Sequence, residues 1–196
     1  MGIVAELKEV TEEWLNGLPA LVKPPKFKKR PLRELVAPYV KKIEDELRPH
    51  LNGVRVVNGH SYWTDAYVLF KVNDGVEEDF IHPDAADSRT PDYECIIPTY
   101  DMLPEYPNLV DWYVKAFVAH EVNRLMVEPT VFLRYNGILL SAPVVLKALK
   151  IGLGLHPDWE LTHGRADRIV RFDSEGDMMF VMPKYPKGEG FKIIEL

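Results

Sequence analysis

From Leu32 onward, apolar side chains return at Leu35, Val36, Tyr39, Val40, Ile43 and Leu47, the i, i+3, i+4, i+7 spacing that lays one stripe along a helix. Pro31 suits the first turn of that helix and Pro49 stops it, while Pro38 demands a kink or a start near Ala37. A shorter stripe (Ile3, Leu7, Val10, Trp14, Leu15) predicts a helix over 3–15, ended by Asn16-Gly17 and Pro19. Between the two, residues 22–29 carry Pro24-Pro25 and read as a linker or an extended arm.

After the second helix the period falls to two. Residues 54–57 and 61–72 are runs of β-branched and aromatic side chains around Asn58-Gly59, a strong hairpin signal, and Asn73-Asp74-Gly75 marks the next turn. Prolines 83, 91, 98, 104 and 107 predict loop over 82–108, with one short strand at 94–97. Val110, Tyr113, Val114, Phe117, Val118 and Leu125 favour a helix over 110–127. Residues 132–140 read as a strand bent at Asn136-Gly137. Ser141 is placed to cap a helix that opens at Pro143 and turns Val144, Val145, Ala148 and Leu149 inward. Strands follow over 159–162, 168–172 and 178–182, with a turn at 173–177.

A helix followed by a strand meander thus occurs twice, at about 31–97 and 141–183, although the two stretches share no sequence. The expected fold class is α+β: an N-terminal helix and linker (1–24), then two helix-plus-antiparallel-sheet units (25–110 and 111–196). The expected core includes Leu35, Val36, Tyr39, Val40, Ile43, Val54, Val56, Leu69, Leu149, Ile169 and Phe180.

Charge changes this picture more than composition does. At 196 residues, 46% hydrophobic and 28% charged, the chain can bury a core without metal or disulfide. The lone cysteine, Cys95, beside Ile96 and Ile97, reads as a thiol in a strand and fits a reducing compartment. No membrane-spanning run and no secretory leader is visible, so a cytoplasmic protein is expected. The net charge of −6 divides unevenly: Lys23, Lys26, Lys28, Lys29, Arg30, Arg33, Lys41 and Lys42 face one acid, Glu34, giving +7 over 23–42 and −13 elsewhere. Such polarity can steer a polyanion to one side of a molecule; a solvated basic loop is the other reading.

Three stretches resemble the bacterial DNA sliding clamp, the DNA polymerase III beta subunit. Arg48-Pro49-His50-Leu51-Asn52-Gly53-Val54 is similar to a clamp segment in which Arg-Pro opens a strand reading L-x-G-V. Residues 62–69 (Tyr-Trp-Thr-Asp-Ala-Tyr-Val-Leu) are similar to its A-T-D-G-H/Y-R-L strand, with Ala66 where the family usually has glycine. Residues 140–183 resemble the C-terminal clamp domain, down to Val181-Met182-Pro183 against V-M-P-M, and Tyr106-Pro107-Asn108 is similar to a Y-P-N/D-Y loop. The patches cover about half of the chain, and Val110-Asp111-Trp112 departs from the pattern.

The resemblance implies a non-enzymatic clamp-like protein that binds duplex DNA without sequence preference, docks a polymerase or clamp-loader peptide, and assembles as a homo-oligomer. Its DNA-contact residues would be Lys28, Lys29, Arg30, Arg33, Lys41, Lys42 and Arg48; a clamp also needs bases on its second inward-facing helix, and the helix near 143–150 offers only Lys147 and Lys150. Its partner pocket would include Met182 and Pro183, unless the tail at 191–194 folds back over them as a strand. Two other classes stay open: an interaction or scaffold protein of a phage or mobile element that binds no DNA, and a small-molecule enzyme without a recognisable motif.

Catalytic and metal signatures are weak. His120-Glu121-Val122-Asn123-Arg124 puts a cation where a zincin needs its second histidine. His60, Asp65, His82 and Asp84 read as turn residues, as do His156 and His163 in polar connections. No cofactor or metal is expected.

Overall fold

The computed structural model describes residues 15, 17–40, 51, 53–81, 92–93, 97, 105–125, 130–163, 169–184, 186 and 190–196. The 3–15 helix apart from Leu15, the strand proposed around Cys95, Lys41, Lys42, Ile43, Leu47, Arg48, His82 and Asp84 lie outside these.

After a single 3-10 turn (Leu18–Leu21), the chain runs extended to α1 (Leu32–Val40). The helix starts at Leu32 and carries Pro38 inside it, so the start near Ala37 is not adopted. The first sheet segment follows as β1 (Gly53–Val57), β2 (His60–Thr64), β3 (Val68–Val72) and β4 (Phe80–Ile81). Asn58 (φ 51°) and Gly59 (φ 78°) both occupy the left-handed region that a two-residue hairpin requires. The 61–72 run, expected to be continuous, is two strands. Asp65 accepts hydrogen bonds from the backbone amides of Tyr67 and Val68, both at 3.0 Å, and turns the chain.

Helix α2 (Leu109–Leu125) begins at Asn108, whose side chain accepts from the Asp111 amide at 3.1 Å. The predicted bent strand over 132–140 is a hairpin, β5 (Val131–Tyr135) and β6 (Ile138–Ser141), because Asn136 and Gly137 both take positive φ. Helix α3 (Ala142–Leu155) follows at once; Ser141 precedes it but makes no side-chain capping bond. The chain ends with β7 (Glu160–His163), β8 (Val170–Ser174), β9 (Asp177–Val181) and β10 (Lys192–Glu195).

Seven strands form one antiparallel sheet in the order β4-β1-β2-β3-β9-β8-β7. The two meanders meet where β3 pairs β9, Leu69 opposite Phe180 and Phe70 opposite Met179. Alternation sends Trp63, Phe70, Phe172, Met179 and Val181 toward the helices, where they join Leu32, Val36, Leu149 and Ile151 in the main core. The opposite face holds a smaller cluster in which Tyr62 stacks on Tyr93 with ring centroids 4.7 Å apart. Of the expected core, Leu35, Val36, Val40, Val54, Leu69, Leu149 and Phe180 are buried, while Tyr39, Val56 and Ile169 are only half-buried. Tyr39 lies at the margin of a cavity, Val56 on the strand that borders the two-residue β4, and Ile169 just outside β8.

The tail does become a strand, but it pairs parallel to β5 in a second sheet ordered β10-β5-β6. Lys184, two residues past Met182, donates to Leu139 on β6, the other edge of that sheet. β10 therefore does not lie over Met182 and Pro183; its Ile194 is fully buried in the main core.

A basic cleft and an acidic cleft beside helix α3

The extended segment before α1 is fastened to α3. Phe27 turns inward and meets the Tyr113 ring of α2 edge-on, centroids 5.1 Å apart, and the Arg30 amide donates to Gly154 O at 2.9 Å. A methyl group at Gly154 would sit 2.6 Å from Leu35 Cδ2, so glycine there permits the close approach of α1 to α3. With Phe27 inward, Lys26 and Lys28 flank it, and the result is a cleft of about 290 Å³ lined by Lys26, Lys28, Arg30, Tyr113 and Lys150. Lys26, Lys28, Lys29, Arg30, Arg33 and Lys150 are all exposed, and among the described residues none of them has a carboxylate partner.

A second cavity of about 410 Å³ continues from the first, sharing Tyr113 and Lys150 and adding Tyr39, Phe117, His120 and Leu146. Burial raises the Tyr39 and Tyr113 phenols above their ordinary pKa, so both stay neutral donors near neutral pH. Lys147 also lines this cavity, but its ammonium is paired with Asp65 and lies 5.8 Å over the Tyr39 ring. Burial lowers its pKa.

The other charged cleft, about 370 Å³, lies past the C-terminal end of α3 among Tyr106, Asp158, Glu160, Asp173 and Glu175. Three of its acids are engaged: Tyr106 donates to Glu160 at 2.9 Å, the Arg171 guanidinium forks onto Asp173, and Glu175 approaches His156 at 3.7 Å. His156, expected to be a solvated connection residue, is buried behind this cleft, with Nε2 2.6 Å from Asp177 Oδ2. The other Asp177 oxygen accepts from the Asn73 amide at 2.7 Å. The pair ties the end of α3 and the β8–β9 turn to the chain leaving β3.

Lys28, Lys29, Arg30 and Arg33 thus stand on one run of surface, and Lys28 and Arg30 share the cleft with Lys150. Met182 and Pro183 are half-buried just beyond β9, where the Met182 amide donates to Tyr67 O at 2.9 Å. Spacing marks Tyr39, Tyr113 and Phe117 as apolar stripe positions, and nothing in the one-dimensional pattern marks them as cavity walls. On α2, Arg124 pairs with Glu121 at 2.7 Å.

Helices on one face of an antiparallel sheet built from two consecutive meanders define an α+β protein of sliding-clamp architecture. The crystal structure of DNA polymerase III, beta chain, from Streptococcus pneumoniae TIGR4 superposes with a TM-score of 0.53 at 11% identity, over 84% of this chain and 67% of that one. At that identity the likeness is one of fold. No family model and no curated protein sequence matches the chain. No helix among the described residues is long and apolar enough to cross a membrane.

Proposed function

We propose that this is a non-enzymatic, cytoplasmic, clamp-like protein that contacts nucleic-acid phosphates through the basic cleft beside α3. The observation that carries the reading is the convergence of Lys28 and Arg30, from the extended segment, with Lys150, from a helix far along the chain, on one cleft. Exposed cations without carboxylate partners can exchange condensed counterions for phosphates, and that exchange drives sequence-independent binding. Lys29 and Arg33 extend the same surface, and Lys41, Lys42 and Arg48 belong to the proposal through the resemblance. Residues 25–110 and 111–196 are its two half-units. The fold shared with a DNA polymerase III beta chain supports the further proposals of a homo-oligomer and of a polymerase or clamp-loader peptide at Met182 and Pro183.

The test is fluorescence anisotropy with a short DNA duplex at ~50 mM salt, then through a salt series. Replacing Lys28, Arg30 and Lys150 together with alanine is expected to weaken binding at least about tenfold and to flatten the salt slope by about 0.9 for each lost contact. Unfolding stability should stay within about 0.5 kcal/mol, since all three are surface residues. A wild-type chain that binds no nucleic acid at low salt would leave an interaction or scaffold protein.

A further inference from the structure

Where the basic cleft meets the second cavity, at Tyr113 and Lys150, the wall gains the further rings Tyr39 and Phe117. Phe117, on α2, is 36% exposed and has no ring partner among the described residues; Tyr39 and Tyr113 are half-buried with part of each ring at the cavity. Lys147 adds little charge to this end because Asp65 holds it. The surface therefore grades from Lys26, Lys28 and Arg30 at one end, through the shared Lys150 and Tyr113, to Phe117, Tyr39 and His120 at the other.

We infer that this groove binds single-stranded nucleic acid, the backbone lying along the cations and unpaired bases turning in against the rings. The inference rests on the phosphate-binding reading above and deepens it. A duplex presents phosphates outward and keeps its base faces stacked inside, so a ring set in a concavity can reach no base face. A single strand offers a π-face at every base, and aromatic side chains beside a cationic track form the usual platform for it. The cavities, 290 and 410 Å³, are close to the size at which ligand pockets begin, about 300 Å³. His120 and the neutral Tyr39 and Tyr113 phenols supply polar groups for base edges.

The experiment is anisotropy on the full chain with labelled single-stranded oligothymidine and with a duplex, for the wild type, Phe117→Ala, Phe117→Leu and Lys150→Ala. The wild type should bind the single strand more tightly than the duplex. Both Phe117 variants should weaken the single-strand complex by about tenfold, the leucine form keeping apolar packing while removing the ring. Duplex binding should be unchanged by them, whereas Lys150→Ala should weaken both. Duplex binding equal to or tighter than single-strand binding, or Phe117 variants that match the wild type, would overturn the inference and leave the phosphate-binding reading standing. Binding of neither form would overturn both.

Discussion

Two charged clefts lie beside the C-terminal half of α3, and they differ in how far their charges are paired. In the acidic cleft Glu160 and Asp173 each face a donor of this chain, the Tyr106 phenol and the Arg171 guanidinium, while Glu175 lies 3.7 Å from the His156 ring and Asp158 is exposed. In the basic cleft Lys26, Lys28, Arg30 and Lys150 are exposed, and among the described residues none has a carboxylate partner. Helix α3 repeats the contrast within one turn, since Lys147 is held by Asp65 while Lys150 is exposed. Charges satisfied inside the molecule stabilise its fold and have little left for a partner. Exposed cations stabilise little and remain open to a partner, which is what the proposed phosphate contact needs.

The contrast can be broken most directly at Asp177. Asp177 is 5% exposed, so Asp177→Ala strands the His156 ring in a buried place and removes the acceptor of the part-buried Asn73 amide. A loss of about 3 kcal/mol in urea unfolding is expected, with nucleic-acid binding by the folded protein unchanged. A loss below about 0.5 kcal/mol would mean that the buried pair is no structural tie.

A gain of about 1 kcal/mol is expected from Ala66→Gly. Ala66 sits at φ 72°, strained for any residue with a Cβ, in the turn that presents Asp65 to Lys147. Relaxing it should leave that ion pair in place and raise the unfolding midpoint; a lower midpoint would show that the turn depends on the alanine methyl.

The smallest effect concerns alkali. The hydrogen bond to Glu160, then burial and the Glu160 charge, raise the Tyr106 phenol above the ordinary tyrosine pKa. The folded protein therefore keeps a proton that the unfolded chain releases near pH 10. The stabilisation is complete below that pH and is lost as pH rises through the raised value. Tyr106→Phe should remove a component that titrates above the ordinary tyrosine range in tyrosinate absorbance, and loss of a component near pH 10 instead would place Tyr106 among the ordinary tyrosines.

Much of the architecture was legible in one dimension because its signals are local. The Asn58-Gly59 turn, the stripe of α2 and the helix-then-meander order each depend on residues a few positions apart, and they anticipated an α+β chain. The errors were of two kinds: the 61–72 run and the strand bent at Asn136-Gly137 failed on local turns, and the others on contacts far along the chain. The 61–72 run is apolar enough for one long strand, and only the capping of Tyr67 and Val68 by Asp65 divides it. The tail pattern predicted a strand without saying which edge would take it; the free edge of β5 did. His156 looked like a connection residue until Asp177 closed over it.

The site divides in the same way. A basic run over 23–42 and a pair of lysines on the later helix can be counted from the chain, because charge is a property of each residue alone. Which cations stay available depends on what packs beside them. Asp65, far away in sequence, reaches Lys147 and leaves Lys150, and Phe27 must insert against Tyr113 before Lys26 and Lys28 flank a cleft. Pairing energies reach only a few ångströms through space and are blind to separation along the chain. The sign of the surface was therefore present in the residue order, whereas the groove, its rings and the division between held and free cations arose only when helices and sheet came together.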